Sequence, residues 1–253
     1  MLRFSELRWS LLAACLMGGA KAVKLWVGTS GYSYKPWLGK FYPEGLASKE
    51  MLRFYASQLP AVEINNTFYR LPKETVLRSW AQQVPAEFRF VLKAPQKITH
   101  VKRLKDAGAE VEYLFRVGTA LGATTGAVLF QLPPYLRKNM ETLQNFLAIL
   151  PHDQRAAFEF RHPSWFDEGV FACLREHNCA LCAADTDDTE SSGLLATATW
   201  GYVRLRRAEY NRADLMNWKG RIVSQQWDHA YVFFKHEEEG IGPKLASEFL
   251  ALP

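Results

Sequence analysis

The chain has 253 residues, 48% of them hydrophobic, and a formal net charge of +5 at neutral pH. This composition is sufficient for one sizeable core and excludes an intrinsically disordered chain. The basic residues never form a run of five or six, which favours a solvated surface, while binding of phosphate or nucleic acid stays open as the second interpretation.

Residues 1–23 precede the first predicted strand and are interpreted as an N-terminal extension. Their apolar stretch, residues 11–20, follows Arg3 and Arg8 and resembles a secretory signal. Glu6 interrupts the segment, and its apolar part is shorter than the roughly 20 residues that span a bilayer. We therefore expect a dispensable extension, such as a mis-assigned start codon produces, in preference to an export signal. No other segment is expected to cross a membrane.

Eight short apolar runs follow at intervals of about 30 residues, which is the size of one βαβ unit. Most runs are continuously apolar, as is typical of parallel strands covered on both faces. Eight such strands favour a closed barrel over an open sheet. The predicted strands are residues 25–29, 61–64, 88–93, 126–131, 156–159, 180–184, 202–205 and 231–234.

Most segments between these runs have the apolar periodicity of amphipathic helices. Leu143, Phe146, Leu147 and Leu150 are spaced for one helical face, and Asn139 is a plausible N-cap. Residues 185–199 instead are rich in Asp, Thr, Ser and Gly, which predicts an irregular sixth crossover. The sequence thus predicts a single α/β domain, residues 24–253, folded as a TIM-type (β/α)8 barrel.

Two of the four cysteines form a CxxC pattern, Cys179 and Cys182, inside a predicted strand. An offset of three on a strand points the two thiols to opposite faces, which suits neither a disulfide nor a shared metal. We therefore expect reduced core cysteines in a cytoplasmic protein.

Ionisable or polar side chains end most of the predicted strands. The carboxyl ends of barrel strands meet at one mouth, so we expect these side chains to converge there. Burying a charge costs several kcal/mol unless it is paired. A structural alternative is that Glu63 with Lys93, or Glu159 with Arg204, forms an ion pair that plugs the barrel. The residues concerned are Glu63, Lys93, Gln131, Glu159, Asp185 and Arg204.

Several motifs closely resemble those of the YecE-like family, a domain of unknown function (number 72). The resemblance runs from Lys24 to the end of the chain, with the motifs in the expected order, and implies a TIM-type barrel, a cytoplasmic setting and no established activity. The chain departs from the family pattern at residues 206–207 and 235–236. The matching motifs are residues 28–37 (GTSGYSYKPW), 41–43 (FYP), 62–69 (VEINNTFY), 130–134 (FQLPP), 159–165 (EFRHPSW) and 202–205 (YVRL).

The first functional hypothesis is a pocket for a small anionic or polyhydroxylated ligand, with acid–base chemistry. Cations would hold phosphate or carboxylate, aromatic rings would form the walls, and carboxylates would transfer protons. No metal or other cofactor is required. The predicted ligand-binding residues are Tyr32, Trp37, Asn65, Asn66, Tyr69, Lys93, Gln131, Arg161, His162, Trp165 and Arg204, and the predicted catalytic residues are Glu63, Glu159 and Asp185.

Two alternatives stay open. A metal-dependent hydrolase, isomerase or nuclease-like barrel would use histidines and carboxylates at strand ends. In the sequence, His162, His236 and His100 are expected near the carboxyl-terminal rim of the barrel. A nucleic-acid-binding module without catalysis would use the positive charge and exposed aromatic residues. Neither alternative has a recognised motif in this chain.

Overall fold

Eight parallel strands form a closed barrel, in chain order, within the residues that the computed structural model describes, 22–187 and 193–253. The last strand pairs with the first, for example Trp26 with Tyr231, and this pairing closes the ring. The predicted fold class is confirmed. The strands are β1 (Lys24–Ser30), β2 (Ala61–Ile64), β3 (Arg89–Lys93), β4 (Thr125–Gln131), β5 (Ala156–Glu159), β6 (Ala180–Asp185), β7 (Trp200–Leu205) and β8 (His229–Phe234).

Seven α-helices surround the barrel within the described ranges. The predicted N-cap is confirmed, since the Asn139 side chain accepts a hydrogen bond from the backbone N–H of Thr142. The irregular sixth crossover is confirmed for residues 186–187 and 193–199, which contain no helix, while residues 188–192 lie outside the described residues. The helices are α1 (Met51–Gln58), α2 (Glu74–Ala81), α3 (Gly108–Gly118), α4 (Met140–Ala148), α5 (Glu168–Glu176), α6 (Arg212–Val223) and α7 (Ile241–Ala251).

Side chains alternate between the inside of the barrel and the layer under the helices, because successive residues of a strand point to opposite faces. The amino-terminal half of the interior is filled with rings. Trp26 stacks on Tyr231 with 5.1 Å between centroids, and Trp200 packs edge-on against the same tyrosine. His229, at the start of β8, packs against Trp26 among these rings, and the buried charged side chains lie beyond them towards the carboxyl-terminal mouth.

A tyrosine from α1 bridges the first two strands. The Tyr55 hydroxyl accepts a hydrogen bond from the backbone N–H of Thr29 at 2.8 Å and donates one to the carbonyl of Ala61 at 2.9 Å. Tyr55 is fully buried. The side chain therefore satisfies backbone groups of β1 and β2 that would otherwise lack a partner at this position.

The three cysteines within the described ranges, Cys173, Cys179 and Cys182, are free and buried, as predicted. Burial raises the pKa of Cys179 to about 12, so this thiol stays protonated at neutral pH. Residues 1–21, including Cys15, lie outside the described residues, and the interpretation of the N-terminal extension stays a prediction. None of the described helices has both the length and the apolar character needed to cross a membrane.

Candidate functional site

A buried arginine lies between two buried glutamates at the carboxyl-terminal mouth. Arg204 on β7 places Nη2 2.9 Å from Oε1 of Glu63 and Nη1 2.5 Å from Oε2 of Glu159. The exposed fraction is 2% for Arg204, 0% for Glu63 and 1% for Glu159. β2, β5 and β7 do not neighbour one another, and the three side chains meet because each lies at an inward-facing strand position. The structure thus brings together three residues that the sequence placed at one mouth.

Further partners occupy the remaining oxygens of both carboxylates. Glu63 accepts hydrogen bonds from Ser30 Oγ at 2.7 Å and from the Tyr202 hydroxyl at 2.6 Å. Charge-assisted bonds of this kind offset the desolvation of a buried carboxylate. We refer to Glu63, Glu159 and Arg204 as the central triad.

The second glutamate of the central triad has two partners besides Arg204. Gln131 donates its amide N–H to Glu159 Oε1 at 2.7 Å, and Nη1 of Arg206 lies 3.2 Å from the same oxygen. Burial raises the pKa of Glu159, but the charges of Arg204 and Arg206 and the hydrogen bonds from Arg204 and Gln131 outweigh burial and lower it to about 2. Glu159 is therefore ionised at neutral pH and is a weak proton acceptor there.

The lowered pKa of Glu159 predicts acid sensitivity. A carboxylate whose folded pKa lies below its ordinary value of 4.5 contributes stability above about pH 4.5, and this contribution is lost as the pH falls towards 2. We expect the free energy of unfolding in urea to fall more steeply between pH 5 and pH 3 for the wild type than for Glu159→Gln.

The comparison of the two proteins isolates this residue. Hydrogen bonds also lower the pKa values of Glu110, Asp167 and Asp214, and these groups are common to both proteins. Equal slopes in the wild type and Glu159→Gln would contradict the assignment of acid sensitivity to this carboxylate.

Lys93 lies at the mouth without a carboxylate partner within the described part of the chain. It is partly buried, and its Nζ lies over the Phe68 ring, 4.3 Å from the centroid. Burial lowers its pKa and the charge of Arg204 lowers it further, while Glu63 and Glu159 oppose the change, giving a pKa of about 8. Of the two ion pairs that formed the structural alternative, Glu159 with Arg204 is present. Glu63 with Lys93 is absent, because Glu63 pairs with Arg204 instead.

The loop after β5 adds Arg161 and His162 to the rim. Arg161 is exposed, and burial, the charge of Lys93 and, least of the three, the charge of Arg161 lower the pKa of His100. The His162 ring nitrogen Nδ1 accepts a hydrogen bond from the backbone N–H of Ser164 at 3.1 Å and so caps a short helical turn. This assigns His162 a local structural contact in addition to its place at the rim.

Asp185 does not join the central triad. Its carboxylate accepts hydrogen bonds from the Tyr210 hydroxyl and the Trp218 indole, both at 3.0 Å, and pairs with Arg207. These partners belong to the layer under α6. The prediction treated the end of β6 as a mouth position, but Asp185 is one residue out of phase with the inward face of that strand.

Two predicted wall residues, Trp37 and Trp165, are packed in the core instead of the mouth. The Trp37 indole is fully buried and donates to the carbonyl of Glu237 at 3.0 Å. Trp165 stacks on Phe160 with 4.6 Å between centroids and donates to the carbonyl of Leu136. Both rings are satisfied by protein partners, so neither is free to contact a ligand.

The other predicted binding residues lie on the loops after β1 and β2. Tyr32, Asn65 and Asn66 line a small cavity of about 130 Å³. The Asn65 Oδ1 atom is buried and has no hydrogen-bond partner among the described residues. Tyr69 is 75% exposed. Three of these four residues therefore surround one cavity, and Tyr69 lies at the surface.

Four mouth residues were not among the predicted site residues: Ser30, Tyr202, Arg206 and Lys235. The alternation of side chains along a strand could have identified them, since Tyr202 and Arg206 lie two residues before and after Arg204 and so share its face. Lys235 likewise lies two residues after inward-facing Phe233 and influences the pKa of Lys93. No group of three or more His, Cys, Asp or Glu side chains suited to hold a metal ion occurs within residues 22–187 and 193–253.

The comparisons with known proteins agree with the motifs. The family model described as "Protein of unknown function DUF72" matches residues 26–252. The UPF0759 protein YecE of Escherichia coli K12 is 32% identical over 147 residues, which are 57% of this chain and 51% of that protein. The UPF0759 protein YunF of Bacillus subtilis is 29% identical over 151 residues, 56% and 52% of the two chains. The matches thus span about half the length of these curated relatives.

Solved structures show the same architecture. A DUF72 family protein from Thermotoga maritima superposes with a TM-score of 0.79 at 26% identity, covering 90% of this chain and 98% of the other. A DUF72 family protein from Enterococcus faecalis gives a TM-score of 0.72 at 19% identity, covering 92% and 100%, and this second likeness concerns the fold alone.

Proposed function

Because this chain belongs to the DUF72 family, whose description assigns no activity, we propose a function from the chemistry of its own barrel mouth. The mouth is a binding site for a small ligand that carries a phosphate or carboxylate group, with hydroxyl groups as further contacts. Acid–base chemistry on that ligand is part of the proposal. The central triad positions the cations of the site instead of exchanging protons.

One observation carries the proposal, namely an excess of basic over acidic side chains at the mouth. Glu63 and Glu159 are both engaged by Arg204, and Glu159 also by Arg206. Among the described residues, no carboxylate lies within ion-pair distance of Lys93, Arg161 or Lys235. Unpaired cations at the barrel mouth favour an anionic ligand, because a bound anion restores the charge balance.

The arrangement of the cations also favours phosphate or carboxylate recognition. Arg204 and Arg206 are held in fixed orientations by their glutamate partners, so little conformational entropy is lost when a ligand binds. Arg161 is free to approach from the rim with a planar guanidinium that can donate two parallel hydrogen bonds. Asn65 and Gln131 supply neutral polar atoms for ligand hydroxyl groups.

Replacement of Arg161 tests the proposal. We expect phosphate and small phosphorylated or carboxylated metabolites to raise the melting temperature of the wild type, with the affinity of the best anion about tenfold or more lower in Arg161→Gln. The measurement is a thermal-shift titration followed by calorimetry.

Arg53→Gln is the matched control, because it removes one positive charge from the exposed face of α1. It is expected to leave the affinity unchanged. Equal losses of anion affinity in both variants would show that the effect depends on net charge and not on the position of Arg161. Binding of single-stranded oligonucleotides without any response to small anions would favour the nucleic-acid-binding alternative.

A further inference from the structure

The surroundings of Lys93 differ from those of an ordinary surface lysine. Arg204 approaches from β7 and Lys235 from the end of β8, and both disfavour its charged form. Glu63 on β2 and Glu159 on β5 oppose them, but each is already bound to Arg204. His100, in the turn after β3, is electrostatically coupled to Lys93 and has a pKa lowered by burial.

Apolar cover completes this environment. The Lys93 ammonium lies over the Phe68 ring, and the His100 ring packs edge-on against the same ring, 4.9 Å between centroids. The Phe68 ring face by itself favours the ammonium, but the lysine is partly removed from water, lies near the cations Arg204 and Lys235, and has no carboxylate within ion-pair distance among the described residues. These conditions activate a lysine as a nucleophile, because they favour the neutral amine.

We propose that Lys93 forms a Schiff base with an aldehyde or ketone that carries a carboxylate or phosphate group. The inference rests on the proposed function for the anionic part of the substrate, which the unpaired cations of the mouth would hold. The nucleophilic amine itself does not depend on that proposal, because it follows from the contacts of Lys93 alone.

The proposed step is balanced without an external oxidant or reductant. The lone pair of neutral Lys93 Nζ attacks the carbonyl carbon, and the carbonyl π electrons move to oxygen. One N–H proton of the resulting ammonium then passes to that oxygen and gives a neutral carbinolamine. Loss of one amine proton and of the hydroxyl group as water leaves a C=N bond. Overall, one amine and one carbonyl give one imine and one water. The neutral His100 ring is the nearby group able to relay these protons.

Other lysines of the chain serve as internal references. Lys97 and Lys102 both pair with Glu110, at 2.8 Å and 2.7 Å. Lys244 is 75% exposed on α7. A pKa of about 8 gives Lys93 a neutral fraction at pH 7 roughly 300-fold larger than that of an ordinary lysine, partly offset by lower intrinsic nucleophilicity.

Reductive trapping tests the inference. The protein is incubated with glyoxylate and sodium cyanoborohydride, which reduces the imine to a stable carboxymethyl-lysine, and the modified sites are quantified by peptide mass spectrometry. We expect Lys93 to react at least about tenfold faster than Lys244, with a rate that rises with pH and levels off near pH 8. Labelling of Lys93 no faster than Lys244 would overturn the inference.

Two variants and a neutral aldehyde separate this inference from the proposed function. Lys93→Arg keeps the positive charge, so it should lose the adduct while retaining the thermal shift with anions. Lys244→Arg, the matched control, replaces an exposed lysine of α7 and should retain the adduct at Lys93. If propionaldehyde labels Lys93 as fast as glyoxylate and no anion shifts the melting temperature, the result would support Lys93 as a nucleophile and contradict the proposed anion site. Anion binding without an adduct at Lys93 would support the proposed anion site and contradict the proposal that Lys93 is a nucleophile.

Discussion

Arg204→Met is expected to lower the free energy of unfolding by about 3–5 kcal/mol, because it leaves two buried carboxylates without their common cation. Glu63 and Glu159 are 0% and 1% exposed, so neither can turn to water without local unfolding. Urea denaturation at pH 7 measures the change. We also expect the loss to be smaller at pH 5, since protonation of the stranded carboxylates relieves their repulsion.

The matched control is Arg175→Met, which breaks a surface ion pair with Glu168 on α5. Exposed pairs contribute at most about 1 kcal/mol, so this variant is expected to unfold near the wild-type midpoint. A loss of less than 1 kcal/mol for Arg204→Met would show that the central triad is not held together by this arginine.

Gly28→Ala is expected to cost at least about 3 kcal/mol or to prevent folding, because the barrel has no space for a methyl group at this position. A Cβ atom on Gly28 would lie 1.8 Å from the carbonyl oxygen of Ala61 and 2.9 Å from the Tyr55 hydroxyl. The obstacle is the backbone of the neighbouring strand, so relief requires β1 and β2 to separate.

The same substitution at Gly220 is the control for this effect. Gly220 lies in α6, and an added Cβ would meet no atom within 4 Å. Alanine also loses less conformational entropy than glycine in a helix, so Gly220→Ala is expected to stabilise the protein by about 0.5–1 kcal/mol. Similar melting temperatures for the two variants would contradict the steric argument, and calorimetry provides the comparison.

The fold was predictable because parallel barrel strands are apolar on both faces and therefore appear as separate runs in the sequence. The predicted bounds of β2 and β5 agree with the structure, since Pro60 and Asn65 flank β2, while Arg155 precedes β5 and the charged Glu159 ends it. β7 and β8 begin two residues earlier than predicted, at Trp200 and His229. Both residues are strand positions of the ring-filled interior, which tertiary packing extends beyond the obvious apolar run.

The site was predictable only to the level of strand ends. Glu63, Glu159 and Arg204 meet as expected, but the choice of Asp185 ignored the alternation that turns it outward towards Trp218. The alternation of side chains along a strand would have excluded Asp185 from the predicted site and added Tyr202, which lies on the same strand as Arg204. The positions of Trp37 and Trp165 depend on how the loops fold back, which no local pattern encodes.

The bridge made by Tyr55 links two folding events, namely the docking of α1 and the pairing of β1 with β2. Since its hydroxyl supplies backbone partners for both Thr29 and Ala61, the first two strands reach their native spacing only when α1 is docked. Docking of α1 and pairing of the strands at this seam are therefore coupled, and detachment of α1 leaves the backbone N–H of Thr29 and the carbonyl of Ala61 without these partners inside the protein.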